Sequence, residues 1–126
     1  MPNETFFNHL YIFMAIIFNV YSQVSLKMSV VQHGNLPIDL SEKIFFVFKI
    51  LLSPLGFSSM LSLFFAGVFW ILAMSKFDIT YAYIFFSLNY VLMLFAGVLF
   101  FNEPLTSFKI SGTFFAILAV ILISKG

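Results

Sequence analysis

Few residues of this sequence are polar, and chemistry is carried by where those few fall inside long apolar stretches. In NVYSQVSLK, Asn19, Gln23 and Lys27 recur every four residues, with Ser22 and Ser29 beside them. A helix lines such a spacing along one face. An ammonium at the bilayer centre costs about 2.5–3.5 kcal/mol on insertion scales, so this stripe is expected to face protein or a polar cavity. Asn19 and Gln23 then have two readings, hydrogen-bonded glue between helices or a ligand site. Lys27 has three: snorkelling to headgroups, contact with a phosphate or carboxylate, or pairing with Glu103. Further along, Tyr81, Tyr83, Ser87, Asn89 and Tyr90 share one stretch. Tyr81 and Tyr83 stand at its start, where aromatic belts are found. Asn89 lies deep, where a belt does not explain it, and is expected to point inward. Glu103 closes that stretch ahead of Pro104, as a solvated loop carboxylate or a site residue.

Nothing in the sequence reads as catalytic or metal-binding. His9 and His33 stand in flanking regions without companions. The chain offers no paired intramembrane carboxylates, no metal-spaced His cluster and no glycine-rich phosphate loop. Neither an enzyme nor a cofactor is expected, and a transport pathway is the better object of search.

The elements that position these residues follow from composition. The 126 residues are 62% apolar and only 9% charged, and 20 are Phe; the mean hydropathy is +1.08. Soluble domains carry about 25% charged residues. A chain this short has too much surface to hide the excess in a core. That excludes a soluble enzyme, a nucleic-acid binder and a disordered chain. The net charge of +1 points to no polyanionic partner, and without Cys there is no disulfide or thiolate site.

A helix needs about 20 mostly apolar residues to cross the hydrocarbon. Four stretches qualify, at about residues 7–31, 55–74, 81–101 and 108–124. The first is expected to persist as a helix, since no Lys or Arg precedes it as in a signal peptide. QHGNLP is a turn-rich loop. After it, residues 42–52 predict a short helix at the membrane surface, started by Asp39 or Ser41, with a capping box from Asp39 to Glu42. Ser53-Pro54 should end it. The alternative is one long helix kinked at Pro54. Short links make neighbouring spans antiparallel, and an even number puts both termini on one side. Lys27, Lys43, Lys49 and Lys109 lie toward one side, Lys76 and Lys125 toward the other. So small a bias decides little about orientation; it fits dual insertion or a partner that sets orientation. Gly112, Ala116 and Ala119 form a close-packing face on the fourth span, and Ala96-Gly97 a second, for contact between helices or between copies.

The order of features resembles the drug/metabolite transporter superfamily. Residues 73–126, AMSKFDITYAYIFFSLNYVLMLFAGVLFFNEPLTSFKISGTFFAILAVILISKG, carry most of it: a short loop into Tyr81-Ala82, Glu103 after the third span, and a last helix opened by Gly112. LLSP before the second span is also similar. Within it, the small multidrug resistance family carries a Glu, a Gly-Thr pair and a Lys in span one. Here Asn19 stands in place of the Glu and Ser22-Gln23 in place of the pair, while Lys27 is kept. Asn has no titratable proton and cannot neutralise a cation, which disfavours a proton-coupled cation exporter. The four-helix subunits that flip undecaprenyl-phosphate-aminoarabinose are more similar. Gln23 followed by Lys27, then SLNYV (Ser87, Leu88, Asn89, Tyr90, Val91), then Glu103-Pro104 match their pattern; the first loop is richer in Phe.

The resemblance implies a single domain over residues 1–126, a small-multidrug-resistance-like all-α bundle in the bacterial inner membrane. It would act as a homodimer or as a heterodimer with a related four-helix subunit, moving a lipid that carries a polyprenyl-phosphate-linked sugar or aminosugar. Lys27 would neutralise the phosphate, and Asn19, Gln23 and Asn89 would hydrogen-bond the sugar. Tyr81, Tyr83, Ser87 and Glu103 complete the expected substrate set. Gly97, Gly112, Ala116 and Ala119 would pack helices or copies. Two rivals are a small-molecule or cationic drug exporter driven through Glu103, and a non-transporting partner of a membrane glycosyltransferase.

Overall fold

The computed structural model describes residues 2–125. Its helices are α1 (Pro2–His33), α2 (Leu40–Leu52), α3 (Pro54–Met74), α4 (Ile79–Phe86), α5 (Leu88–Phe101) and α6 (Ser107–Lys125). Helices α4 and α5 run end to end as one interrupted span. Four stretches are long and apolar enough to cross a membrane: Thr5–His33, Pro54–Met74, Ile79–Phe101 and Ser107–Lys125. The chain is a multi-pass, all-helical membrane protein.

Lipid offers no hydrophobic drive between helices, so packing depends on small side chains and hydrogen bonds. The α1–α3 seam is built that way. Ala15, Ser22, Ser25 and Ser29 are buried on α1, as are Gly56, Ser59, Ser62, Ala66 and Ala73 on α3. Ser62 donates to the Phe18 carbonyl at 2.6 Å, Tyr21 to Ser58 Oγ at 3.3 Å, and the Ser29 and Ser53 hydroxyls meet at 2.8 Å. As α1 advances its partner on α3 recedes, so the two are antiparallel. The link from Ser75 to Asp78 turns the chain back again, and α5 therefore runs parallel to α1.

The break before α3 is a serine elbow. The Ser53 hydroxyl donates to Ile50 O at 2.5 Å and accepts from Gly56 N at 3.1 Å. It thereby caps α3 while satisfying the end of α2, and Pro54 opens α3 where a missing N–H costs nothing. Gly56 is required here: a Cβ on it would stand 1.8 Å from Ile50 O. At the other end of α2 the expected capping box does not form. Asp39 takes the N-cap position without a side-chain hydrogen bond, and α2 starts at Leu40 instead of residue 42.

Two spans differ from expectation. Helix α1 runs well past residues 7–31 at its start, to about 48 Å. The third span is not one helix. Ser87 N bonds Ile84 O at 3.1 Å, Tyr90 N bonds Ser87 O at 3.0 Å, and the Ser87 hydroxyl also donates to Ile84 O at 2.5 Å. A serine hydroxyl that bonds a carbonyl one turn back competes with the helix ladder and tightens it toward i→i+3 bonds. Helix α6 is the least packed: 6% of its span is buried, against 28% for the first. Gly112 has open space where a Cβ would be, and Ala116 and Ala119 are half-buried.

Candidate functional site

Asn19 and Asn89 meet. Asn89 Nδ2 donates to Asn19 Oδ1 at 3.3 Å, and Asn89 Oδ1 is buried without a hydrogen-bond partner. Depth follows from the α1–α3 register. Ser62, near the middle of α3, bonds the residue just before Asn19, and Asn89 lies midway along Ile79–Phe101. The amide pair therefore sits near the centre of the spans, two residues past the break at Ser87. A buried acceptor without a partner costs about 1–3 kcal/mol. The pair joins α1 to α5 and leaves one acceptor, Asn89 Oδ1, unused.

A cavity of about 310 Å³ opens beside it, lined by Asn19, Leu63, Ala66, Gly67, Trp70, Tyr83 and Phe86. Its floor is α1 and its walls are α3 and α4. Gly67 leaves it open, with nothing within 4 Å of where a Cβ would stand. The rings of Trp70 and Phe86 meet edge to face at 4.8 Å, with Tyr83 against Trp70 at 6.0 Å. Behind Tyr83 and Phe86 lies a larger space of about 500 Å³, also lined by Ile79, Thr80, Ile84, Ser87 and Ile123. Ser87 faces this second space and not the amides.

The spans close tightly at one end. His9 Nδ1 lies 2.9 Å from the Thr5 carbonyl and Nε2 lies 2.9 Å from the Tyr81 hydroxyl. A carbonyl can only accept, so Nδ1 carries the proton and, in the neutral ring, Nε2 accepts from Tyr81. Phe77 and Phe85 pack on the same imidazole at 4.9 and 6.0 Å. His9, read from sequence as unaccompanied, is thus the centre of an aromatic cluster. It engages Tyr81, one of the residues expected at the substrate.

Toward the other end the polar stripe continues. Gln23 and Lys27 lie one and two turns beyond Asn19 on the same face, Lys27 about 12 Å on. Ser29 bonds Ser53 at the start of α3, so Lys27 stands where that span begins. Both side chains are exposed, and among the described residues neither has a polar partner. Of the three readings for Lys27, pairing with Glu103 is not seen among the described residues. His33 Nδ1 donates to the Ser29 carbonyl at 2.7 Å. Among the described residues, no three His, Asp or Glu gather as a metal site would require.

Of the residues expected at the substrate, Asn19 and Tyr83 line the cavity and Asn89 bonds Asn19 beside it, while Gln23 and Lys27 lie exposed further along α1, outside its lining. Tyr81 and Ser87 face elsewhere, and Glu103 lies beyond the end of α5. Gly67, Trp70 and Phe86 escaped sequence reading: one Phe among 20 carries no signal, and Gly67 follows an Ala in an otherwise bulky span. Searches of protein-family models, curated proteins and solved structures found no match for the chain.

Proposed function

We propose that the chain is a subunit of a lipid flippase that moves a polyprenyl-phosphate-linked sugar or aminosugar across the bacterial inner membrane. The observation that carries this reading is the mid-span amide pair with a spare acceptor, open to an aromatic-walled cavity. Uncharged amides accept and release a hydroxylated headgroup without a proton cycle. Aromatic faces suit the apolar faces of a sugar, and about 310 Å³ lies at the lower end of small-ligand cavities. Lys27 marks the phosphate level at one membrane face, where an ammonium can leave the hydrocarbon. The exposed Phe and Leu side chains of α3 and α6 leave the lipid tail in bilayer.

The working unit is a pair. A single chain leaves the cavity open along one side, and among the described residues nothing lies within 4 Å of where a Cβ on Gly112 would stand. Two copies, or two related chains, would close the cavity around a central site reached alternately from each side. Helix α2 lies along the membrane surface, with Phe45 and Phe48 exposed and Lys49 Nζ 4.8 Å from the centre of the Phe45 ring. A cation exporter has less behind it, since among the described residues no carboxylate bonds the amide pair.

The test is Lys27→Ala in the purified protein. Affinity for undecaprenyl phosphate should fall about tenfold or more, the scale of a lost charged hydrogen bond, with helicity and thermal midpoint retained. Unchanged affinity would remove Lys27 from the phosphate role.

A further inference from the structure

The two halves of the bundle differ in how the amide pair can be reached. Toward one membrane face, Gln23 and Lys27 step away from Asn19 along α1 with exposed side chains. Toward the other face the interior is filled. Ile12 and Ile16 stand between Asn19 and His9 on α1, and with Ala73 and Ala82 they form a core at most 2% exposed. Trp70, Phe77, Phe85 and Phe86 pack against it. The contact between His9 and Tyr81 closes the end beyond. A headgroup at the amides cannot continue along the bundle axis through side chains packed this closely.

The opening in that half runs sideways. Tyr83 and Phe86 line the cavity of about 310 Å³ beside Asn19 and also the space of about 500 Å³ behind it. Two aromatic side chains of α4 thus form the partition between the two. The larger space is a groove between α4 and Ile123 of α6. It runs from Ile79 and Thr80, where the third span begins, to Ser87 near its middle. Ile79 and Tyr83 are exposed, so the groove opens to lipid. Thr80 and Tyr83 bring hydroxyls to it, and among the described residues neither has a polar partner. Ser87 spends its hydroxyl on Ile84 O. Hydroxyls without partners in hydrocarbon favour a ligand that can bond them. Tyr81 bonds His9, and Lys27 lies about 27 Å further along α1. The outer end of the groove therefore stands at the membrane face opposite Lys27.

We propose that Tyr83 and Phe86 are a lateral gate, through which a headgroup in the amide cavity passes into the groove between α4 and α6 and reaches the membrane face opposite Lys27. This rests on the flippase reading and adds the second half of its route. The first half follows α1 between Lys27 and Asn19; the second turns sideways past the two rings to Thr80. Because the groove opens to lipid, the attached chain stays in the bilayer. The test follows undecaprenyl phosphate glucose in proteoliposomes of the full chain, with impermeant periodate oxidising the sugar that reaches the outer leaflet. Ile123→Trp narrows the groove from α6, away from the amide cavity. It should slow transbilayer movement about tenfold or more, with undecaprenyl phosphate affinity and thermal midpoint retained. Leu122→Trp, next to it but lining neither space, should leave the rate unchanged. Thr80→Trp narrows the groove from α4 and carries the test if Ile123→Trp misfolds. An unaltered rate in a folded groove variant, or equal slowing by Leu122→Trp, would overturn the proposal. An unaltered chain that moves none of the probe would instead overturn the flippase reading on which it stands.

Discussion

Helix α1 presents two polar faces with opposite fates. Toward α3 it buries Ser22, Ser25 and Ser29 in a seam of small residues. Ser25 bonds the Tyr21 carbonyl at 2.7 Å, and Ser29 bonds Ser53. Toward α4 and α5 it offers Asn19, Gln23 and Lys27, of which only Asn19 finds a polar partner among the described residues. A serine can return its hydroxyl to its own helix and pass for a small apolar residue. An amide or ammonium on the same helix cannot, so it needs a neighbour or a ligand. The difference separates the face that holds the fold from the face to which we assign the ligand.

Substitutions on the two faces should therefore dissociate stability from binding. The largest loss is expected at the elbow. Gly56→Ala forces a Cβ against Ile50 O, and overpacking of this kind costs about 1–3 kcal/mol. A clearly lowered thermal midpoint in detergent, with lipid binding falling only in step with the folded fraction, would place Gly56 on the structural side. On the other face, Gly67→Leu fills the cavity beside Asn19 without displacing any atom near Gly67. It should abolish headgroup binding and leave stability within about 0.5 kcal/mol of the parent, the usual range for exposed substitutions. Binding that persists in Gly67→Leu would move the ligand out of this cavity.

Asn89→Leu removes the inter-helix amide bond and its orphan acceptor together. Interhelical hydrogen bonds in membranes average about 0.6 kcal/mol, so stability should shift by less than about 1 kcal/mol in either direction while binding falls. A strong destabilisation, read by denaturant titration, would mark the pair as glue. Ser25→Ala is expected to do least, under about 0.5 kcal/mol with unaltered binding, because its hydroxyl bonds only its own helix.

Much of this contrast was legible in the residues. Length and hydropathy placed the four spans, and Ser53-Pro54 placed the break before α3. The four-residue spacing put Asn19, Gln23 and Lys27 on one face, and depth singled out Asn89. That Asn19 and Asn89 meet was not legible, because periodicity assigns a face within one helix and says nothing of which helix lies opposite. The break at Ser87 was missed because a serine within an apolar run is as often a silent helix residue. Gly97 read as a packing surface between helices, since its spacing cannot reveal that the chain folds Glu103 back onto it. His9 read as isolated for a similar reason: Tyr81 is 72 positions away and joins it only through the antiparallel course of the spans.

The central claim is that the unsatisfied face of α1 serves a lipid phosphate in a paired assembly. Native mass spectrometry of the gently extracted protein, with and without undecaprenyl phosphate, reports copy number and bound mass together. The account predicts a dimer that carries the polyprenyl phosphate, releases it to excess unlabelled lipid, and is indifferent to quaternary ammonium compounds. A chain that ignores the lipid phosphate and binds organic cations would contradict it, and would make Asn19 part of a cation site that works without a carboxylate.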